Sequence, residues 1–416
     1  MSLWRHVLRR AARKIWFRAA LFSLGAVLLA LAARVLAPIM PDVFSSNMGQ
    51  DSVDQILEIL ASSMLAVTTF SLTAMVQAYS SATTQGTPRA TQLMLADNTS
   101  QNALSTFLGG FLFSIVGIVA LSTGYYDPKA RTILFLGTVA VIAIIAITLL
   151  RWIAHVTGFG RMNDVIDRVE EAATDAMRGQ AAEPRLGGMP ARPPEPDAVP
   201  VRPRETGYVT LIDSAKLARL AEGYDLYLHV EALPGAMVHP GRPLLWVDGA
   251  VDAAARDGLI SAFTIEPHRD FDQDPRLGLI ALSEIASRAL SPAVNDPGTA
   301  IAVLNATQRV FLALFDPDET DRAEPSPRLF VPELTLEELV EAAYRPIARD
   351  GAGNIEVQIR LQKTLAALAP FAPDPKVFLD MADESAERAR EAMEHASDRE
   401  ALTLARRGIG LEEMPA

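Results

Sequence analysis

Four hydrophobic windows crowd into the first 152 residues of this chain, at roughly 19–38, 56–78, 103–123 and 132–151. Each approaches the ~20 residues that cross ~30 Å of hydrocarbon as a helix. Four such runs in close succession place the N-terminal part in a bilayer. The last run is the purest, with Ile142, Ile144, Ile145 and Ile147 close together. The second is the most polar. Residues 1–152 therefore read as a four-helix transmembrane domain, with the lipid bilayer as its first partner.

The loops set the expected orientation. Arg5, Arg9, Arg10, Arg13, Lys14 and Arg18 precede the first window, the segment 39–55 has no Lys or Arg, and Arg151, Arg161 and Arg168 follow the last. Lys129 and Arg131 stand in the short loop between the third and fourth windows. Basic residues collect at cytoplasmic ends of spanning helices, which predicts the N-terminus and the C-terminal domain both in the cytoplasm of a bacterial inner membrane. Ala30-Leu31-Ala32 resembles a signal-peptidase site, but the apolar run continues to Leu36 and three more follow, so the first helix is expected to stay uncleaved.

Charge separates the two parts. Residues 1–151 hold 11 Lys/Arg and 6 Asp/Glu, whereas the remainder holds 27 and 44. An acidic soluble part excludes nucleic acid as the expected partner, because phosphate binding needs a basic face. The chain has no cysteine, which removes disulfides and thiolate chemistry. Phosphate-loop, dinucleotide and nucleophile-elbow patterns are absent, so nothing points to an enzyme.

One face of the second window is polar. At 100° per residue, Glu58, Ser62, Thr69, Thr73, Gln77 and Ser80 fall in one stripe. An ionisable group in a span marks a hydrated path, while Ser and Thr also serve helix packing. Glu58, Ser62, Thr69, Thr73 and Gln77 are the pathway candidates. A single stripe would line a path at a symmetry axis more easily than enclose one, which implies a homo-oligomer. Small residues in the third window (Ser105, Gly109, Gly110, Ser114, Gly117) read as a packing face.

Beyond the membrane part, residues 153–178 suit a juxtamembrane helix, with Val165, Ile166 and Val169 on one face. Residues 179–205 carry seven prolines and read as an extended linker. Residues 206–248 read as a small β module with strands near 208–212, 226–230 and 244–247, and the turns Pro234-Gly235 and Pro240-Gly241 bracket a further β segment. The spacing resembles a barrel-sandwich hybrid. Residues 249–416 read as a mainly helical cytoplasmic domain. Its tail helices are expected at 335–349, 354–369 and 375–408, and the whole soluble part is α+β.

Two helices in that domain start alike, with Asp274-Pro275 and Asp296-Pro297. Aspartate at the N-cap accepts the free amides, and proline at the first position lacks an N–H that is not needed there. The loop between them, Ser291, Pro292, Ala293, Val294, Asn295, Asp296, Pro297, Gly298, Thr299, resembles the signature of a bacterial family of predicted membrane proteins, the domain of unknown function 2254 (DUF2254). The segment Ala66 to Ser81 with Thr87-Pro88-Arg89, and Gln273-Asp274 ahead of Gly278, are similar to further family segments. The resemblance implies the layout of four spans plus a cytoplasmic domain, and it implies no activity.

Asp270, Asp272 and Asp274 have the spacing of a calcium loop, but Pro275 stands where glycine is required and Ala281 where a bidentate glutamate belongs. A looser divalent-cation site of these residues with Asp296 is the one cofactor reading the residues admit, against a default of solvated caps and turns. The leading expectation is an oligomeric channel or transporter with a cytoplasmic regulatory domain. The rivals are a membrane-anchored sensor or scaffold without transport and, behind both, a metal-dependent hydrolase.

Overall fold

A computed structural model describes residues 20, 21, 23–25, 27, 28, 32, 52–85, 87–95, 97–123, 128–158, 161–315 and 324–410. The chain divides into two compact units, Ser2–Gln85 with Thr91–Asp164, and Gly86–Ala90 with Val165–Ala416.

In the first unit, α1 (Val53–Gln85), α3 (Asn98–Ser122) and α4 (Pro128–Gly158) pack pairwise against one another. The short helix α2 (Pro88–Leu95) lies between α1 and α3 in sequence. Small residues let the spans approach. A Cβ on Gly110 would meet the Ile145 side chain at 2.7 Å, and one on Gly117 would meet Leu57 at 2.9 Å. Asp97 caps α3 by accepting from the Ser100 amide (3.0 Å), and its carboxylate also bonds His155 (2.9 Å). The first predicted span, 19–38, and the basic N-terminus before it lie mostly outside the described residues. The residues described within that span are helical.

Four described helices are long and apolar enough to cross a membrane: Val53–Ser80, Thr99–Ser122, Arg131–Thr157 and Pro297–Phe315. The first three are expected spans. The fourth was expected as a helix of the cytoplasmic domain, and it belongs to the second unit. Its apolar composition has a packing reason. Ala300, Val303, Leu304, Ala306, Val310 and Phe311 are buried, while Arg309 pairs with Glu170 through two short bonds (2.5 and 2.6 Å) on the exposed side.

The second unit is helical with two small sheets. After α5 (Met162–Ala182), which buries Val165, Ile166 and Val169, come β1 (Gly188–Pro190), β2 (Val199–Val201), β3 (Gly207–Ile212), α6 (Ser214–Gly223), β4 (Tyr227–Val230), β5 (Met237–Val238) and β6 (Leu245–Asp248). Then follow α7 (Ala253–Ile260), β7 (Phe263–Glu266), α8 (Pro275–Ala289), α9 (Pro297–Phe315) and β8 (Ser326–Val331). The chain closes with α10 (Leu336–Asp350), α11 (Ile355–Leu368), α12 (Lys376–Ala392) and α13 (Ala396–Gly408).

The larger sheet has the order β1-β8-β4-β6-β2 and the smaller the order β5-β3-β7. Three expected strands are present as β3, β4 and β6, but the segment 206–248 does not close on itself. Its strands divide between the two sheets and are completed by β1, β2, β7 and β8 from outside it. Leu217, Leu228, Leu245, Val247 and Leu329 are fully or almost fully buried in the core these elements share. The proline-rich stretch supplies β1 and β2, so it is part of the sheet rather than a free linker.

Helices α8 to α13 form the remaining layer. Phe311 stacks on Tyr344 (5.6 Å between rings) and meets Phe378 edge-on at 5.5 Å. Thr335 and Glu338 form a reciprocal capping box that starts α10. The expected tail helix 375–408 is two helices, with Met393 in an extended conformation between them and its carbonyl bonded by Arg399.

Candidate functional site

The polar stripe of α1 lies on the outside of the protomer. Glu58, Ser62, Thr69, Thr73 and Gln77 are all exposed, interleaved with exposed Ile59, Leu65, Phe70 and Val76. The hydroxyls turn back on their own helix. Ser62 donates to Glu58 O (3.1 Å), Thr69 to Leu65 O (3.0 Å) and Thr73 to Thr69 O (3.0 Å). Such bonding lets Ser and Thr sit in a span with no outside partner. Among the described residues Glu58 and Gln77 make no such side-chain bond.

Neighbouring helices fix the depth of these residues. Leu57 and Leu134 both reach Gly117, so Glu58 stands about one turn inside the apolar run that begins after Arg131. Phe70 meets Trp152 edge-on at 6.3 Å, next to Arg151, which ends that run. Gln77 is therefore ~10 Å beyond the level of Arg151 at 1.5 Å per residue. Thr73 and Gln77 stand beyond that level, still within Val53–Ser80, the stretch of α1 long and apolar enough to cross a membrane.

The signature loop is an exposed turn between α8 and α9. Ser291 donates its hydroxyl to Arg288 O (2.7 Å), Asn295 N bonds Ser291 O (2.9 Å), and Asp296 N reaches back to Ala289 O (2.8 Å). Asn295 takes a left-handed φ of 48°, which asparagine tolerates better than most residues. Asp296 caps α9 through the Thr299 amide (3.1 Å) and hydroxyl (2.6 Å), with Pro297 at the first helical position. The Thr299 hydroxyl, then its amide, holds the Asp296 carboxyl below its ordinary value. Pro292 and Val294 are exposed at the tip. These bonds tie the turn to the end of α8 and the start of α9.

The aspartates of the calcium-like spacing do not converge. Asp270 accepts from the Asp272 amide (2.9 Å) in a local turn. Asp274 is 1% exposed and faces Arg269, whose Nε and NH2 lie 2.7 and 2.6 Å from one carboxylate oxygen. Asp296 is at the far end of α8. Among the described residues no three His, Asp or Glu side chains are grouped to hold a metal ion. Burial pushes the Asp274 carboxyl above its usual value, against the pull of Arg269 and Arg276. Asp274 makes no side-chain cap bond to α8, contrary to the cap its position suggested.

Beside this pair is a cleft of about 360 Å³ lined by Glu231, Leu233, Arg242, Arg269, Arg276 and Ile280. Gly235 forms part of its wall at φ 86°, where a Cβ would stand 2.3 Å from the Asp274 carboxylate. The arginines were not anticipated from the sequence. They come from three separate segments that share no sequence motif.

A family profile described as a predicted membrane protein, DUF2254, matches residues 12–367. The chain belongs to the DUF2254 family. Among curated proteins, an uncharacterized protein of Mycobacterium bovis and one of Mycobacterium tuberculosis are each 26% identical to it over 311 residues, which is 71% of this chain and 59% of theirs. This DUF2254 chain thus spans under two thirds of the length of these relatives. No solved structure matches it.

Proposed function

We propose that this DUF2254 protein is a membrane-anchored transducer, without transport, in which the soluble unit is the working part. One observation carries the reading. Helix α1 runs unbroken from its span to Gln85, and four residues later Arg89 is bonded to Glu284 on α8. Helix α8 opens with Asp274-Pro275-Arg276 beside the arginine cleft and ends at the signature loop. Arg89 and Glu284 lie in one compact unit, so in this reading a displacement of α8 is passed to the chain at Arg89, four residues after the end of α1. The excess of Lys and Arg before the first window and after the last supports a bacterial inner membrane location with the N-terminus and soluble unit in the cytoplasm. Exposed Glu58, one turn inside the apolar run, supports a homo-oligomer, since a second copy or a wet axis would relieve a carboxyl facing lipid. The same exposure favours a second reading, an oligomeric channel with Glu58, Ser62 and Thr69 at its axis.

Ion flux separates the two. The full chain is purified in detergent, its oligomer mass is measured, and flux is compared in liposomes for wild type, Glu58→Leu and Thr69→Leu. The transducer reading expects an oligomer and no flux above empty liposomes in any sample. Flux in wild type that Glu58→Leu abolishes overturns it in favour of the channel.

A further inference from the structure

Three guanidinium groups converge on the cleft next to Asp274. Arg242 follows β5, Arg269 follows β7, and Arg276 lies in the first turn of α8. Three carboxylates stand near them, Asp274, Glu338 and Glu231, and they are unequally placed. Asp274 is committed to Arg269. Arg276 reaches Asp274 and Glu338 only at 4.0 and 3.8 Å, too long for hydrogen bonds, and its NH2 donates weakly to Pro234 O at 3.4 Å. Arg242 donates to Met237 O (3.0 Å) and has no carboxylate within ion-pair reach among the described residues. Glu231, the other carboxylate on the cleft wall, accepts from Trp246 Nε1 at 3.3 Å. Among the described residues Arg242 is therefore the guanidinium on the cleft wall with no carboxylate in ion-pair reach, and Arg276 is paired only at long range.

We propose that this cleft binds a phosphoryl group, carried on a small molecule or a lipid headgroup. Arg242 and Arg276 take the phosphoryl oxygens, and Arg269, fixed by Asp274, supplies a positive wall behind them. Guanidinium forks present paired N–H donors that match phosphate oxygens, and two forks from different segments, with the Arg269–Asp274 pair behind them, suit a tetrahedral oxyanion better than a flat carboxylate. The cleft volume of about 360 Å³ is near the lower end of small-ligand sites, which excludes a large partner. Leu233 and Ile280 give the ligand an apolar wall beside the charged one. The proposal stands on the cleft alone, so binding can fail while the transducer reading survives, and the reverse.

The test is calorimetric titration of the full chain in detergent at low ionic strength with inorganic phosphate, pyrophosphate and citrate. Saturable heat is expected from phosphate and pyrophosphate, with citrate weaker. Arg242→Gln should weaken pyrophosphate binding on the order of tenfold, as loss of a charge-assisted pair does, and Arg242→Lys should restore only part of it. Arg242 is exposed and makes one backbone bond, so an unchanged melting temperature checks that the variant is folded. Repeating the titration in phosphatidylcholine and phosphatidylglycerol vesicles identifies the source. Loss of the pyrophosphate signal only in phosphatidylglycerol assigns the cleft to a headgroup, and retention in both assigns it to a soluble phosphate compound. No saturable heat at millimolar phosphate or pyrophosphate, citrate binding as tightly as pyrophosphate, or unaltered binding by folded Arg242→Gln overturns the proposal.

Discussion

Replacing Gly278 by valine tests how α8 is seated. A Cβ at this position would stand 2.4 Å from the Cβ of Ala173 and 2.8 Å from its Cα. Carbon atoms in good contact are ~3.5–4.0 Å apart, so α8 and α5 would have to separate locally by more than ~1 Å. The atom met is bound to backbone, so no side-chain rotation relieves it. Overpacking of this kind costs ~1–3 kcal/mol, and the branched carbons of valine put the substitution near the upper end. Valine gains only a few tenths of a kcal/mol over glycine in helix propensity, roughly 0.3–0.5, which offsets little. A net loss of about 2–3 kcal/mol corresponds to a fall in melting temperature of roughly 4–12 °C for a unit of this size. Thermal unfolding of the full chain in detergent, followed by near-ultraviolet circular dichroism, reads the shift. Ala173→Gly removes the atoms being struck, so the double variant should recover a good part of the loss despite the ~1 kcal/mol cost of glycine in α5. If Gly278→Val melts like wild type, or if Ala173→Gly recovers nothing, the two helices are not in the contact described.

Asp274→Ala should destabilise the soluble unit by about 3–5 kcal/mol, because it leaves the Arg269 guanidinium buried without its counter-charge, and denaturant titration checks this. Loss of the α9 cap in Asp296→Ala should cost about 0.5–2 kcal/mol in the same measurement. The pH dependence of that cap has a definite sign. The folded Asp296 carboxyl is held below its unfolded value of about 3.9, so its contribution is fully present above that pH and is lost as pH falls through the lower folded value. Unfolding measured between neutral and acid pH should show this limb in wild type, and Asp296→Ala should lack it.

The spans of α1, α3 and α4 were legible because bilayer crossing imposes length and apolarity on a continuous stretch. Those criteria also select α9, since a helix buried among others shows the same composition. The signature loop was readable in mechanism, because Asn295, Asp296, Pro297 and Thr299 act on backbone groups within a few residues. Asp274 looked the same locally and behaves differently, because Arg269 claims its carboxylate in three dimensions. The proline-rich stretch was misread for a similar reason. Proline argues against a strand interior, but β1 and β2 are the two edges of the larger sheet, where proline is tolerated. The partner of β1 is β8, far downstream, and no local pattern announces that pairing. The arginine cleft left no trace because Arg242, Arg269 and Arg276 share neither a motif nor a helix face.

Those proline edges have a consequence for life at a surface. Val201 O accepts from Leu244 N (2.8 Å), so Val201 turns its backbone toward β6, and the adjacent Pro200 faces the open side without an N–H. The opposite edge ends in Pro190. Anchoring confines copies of a domain to two dimensions and keeps them in frequent collision. An edge strand with free donors would let neighbouring sheets zip together into aggregates. Proline at both margins of the larger sheet removes backbone donors from such a seam, so crowding at a surface exposes this sheet to less risk of edge-to-edge pairing.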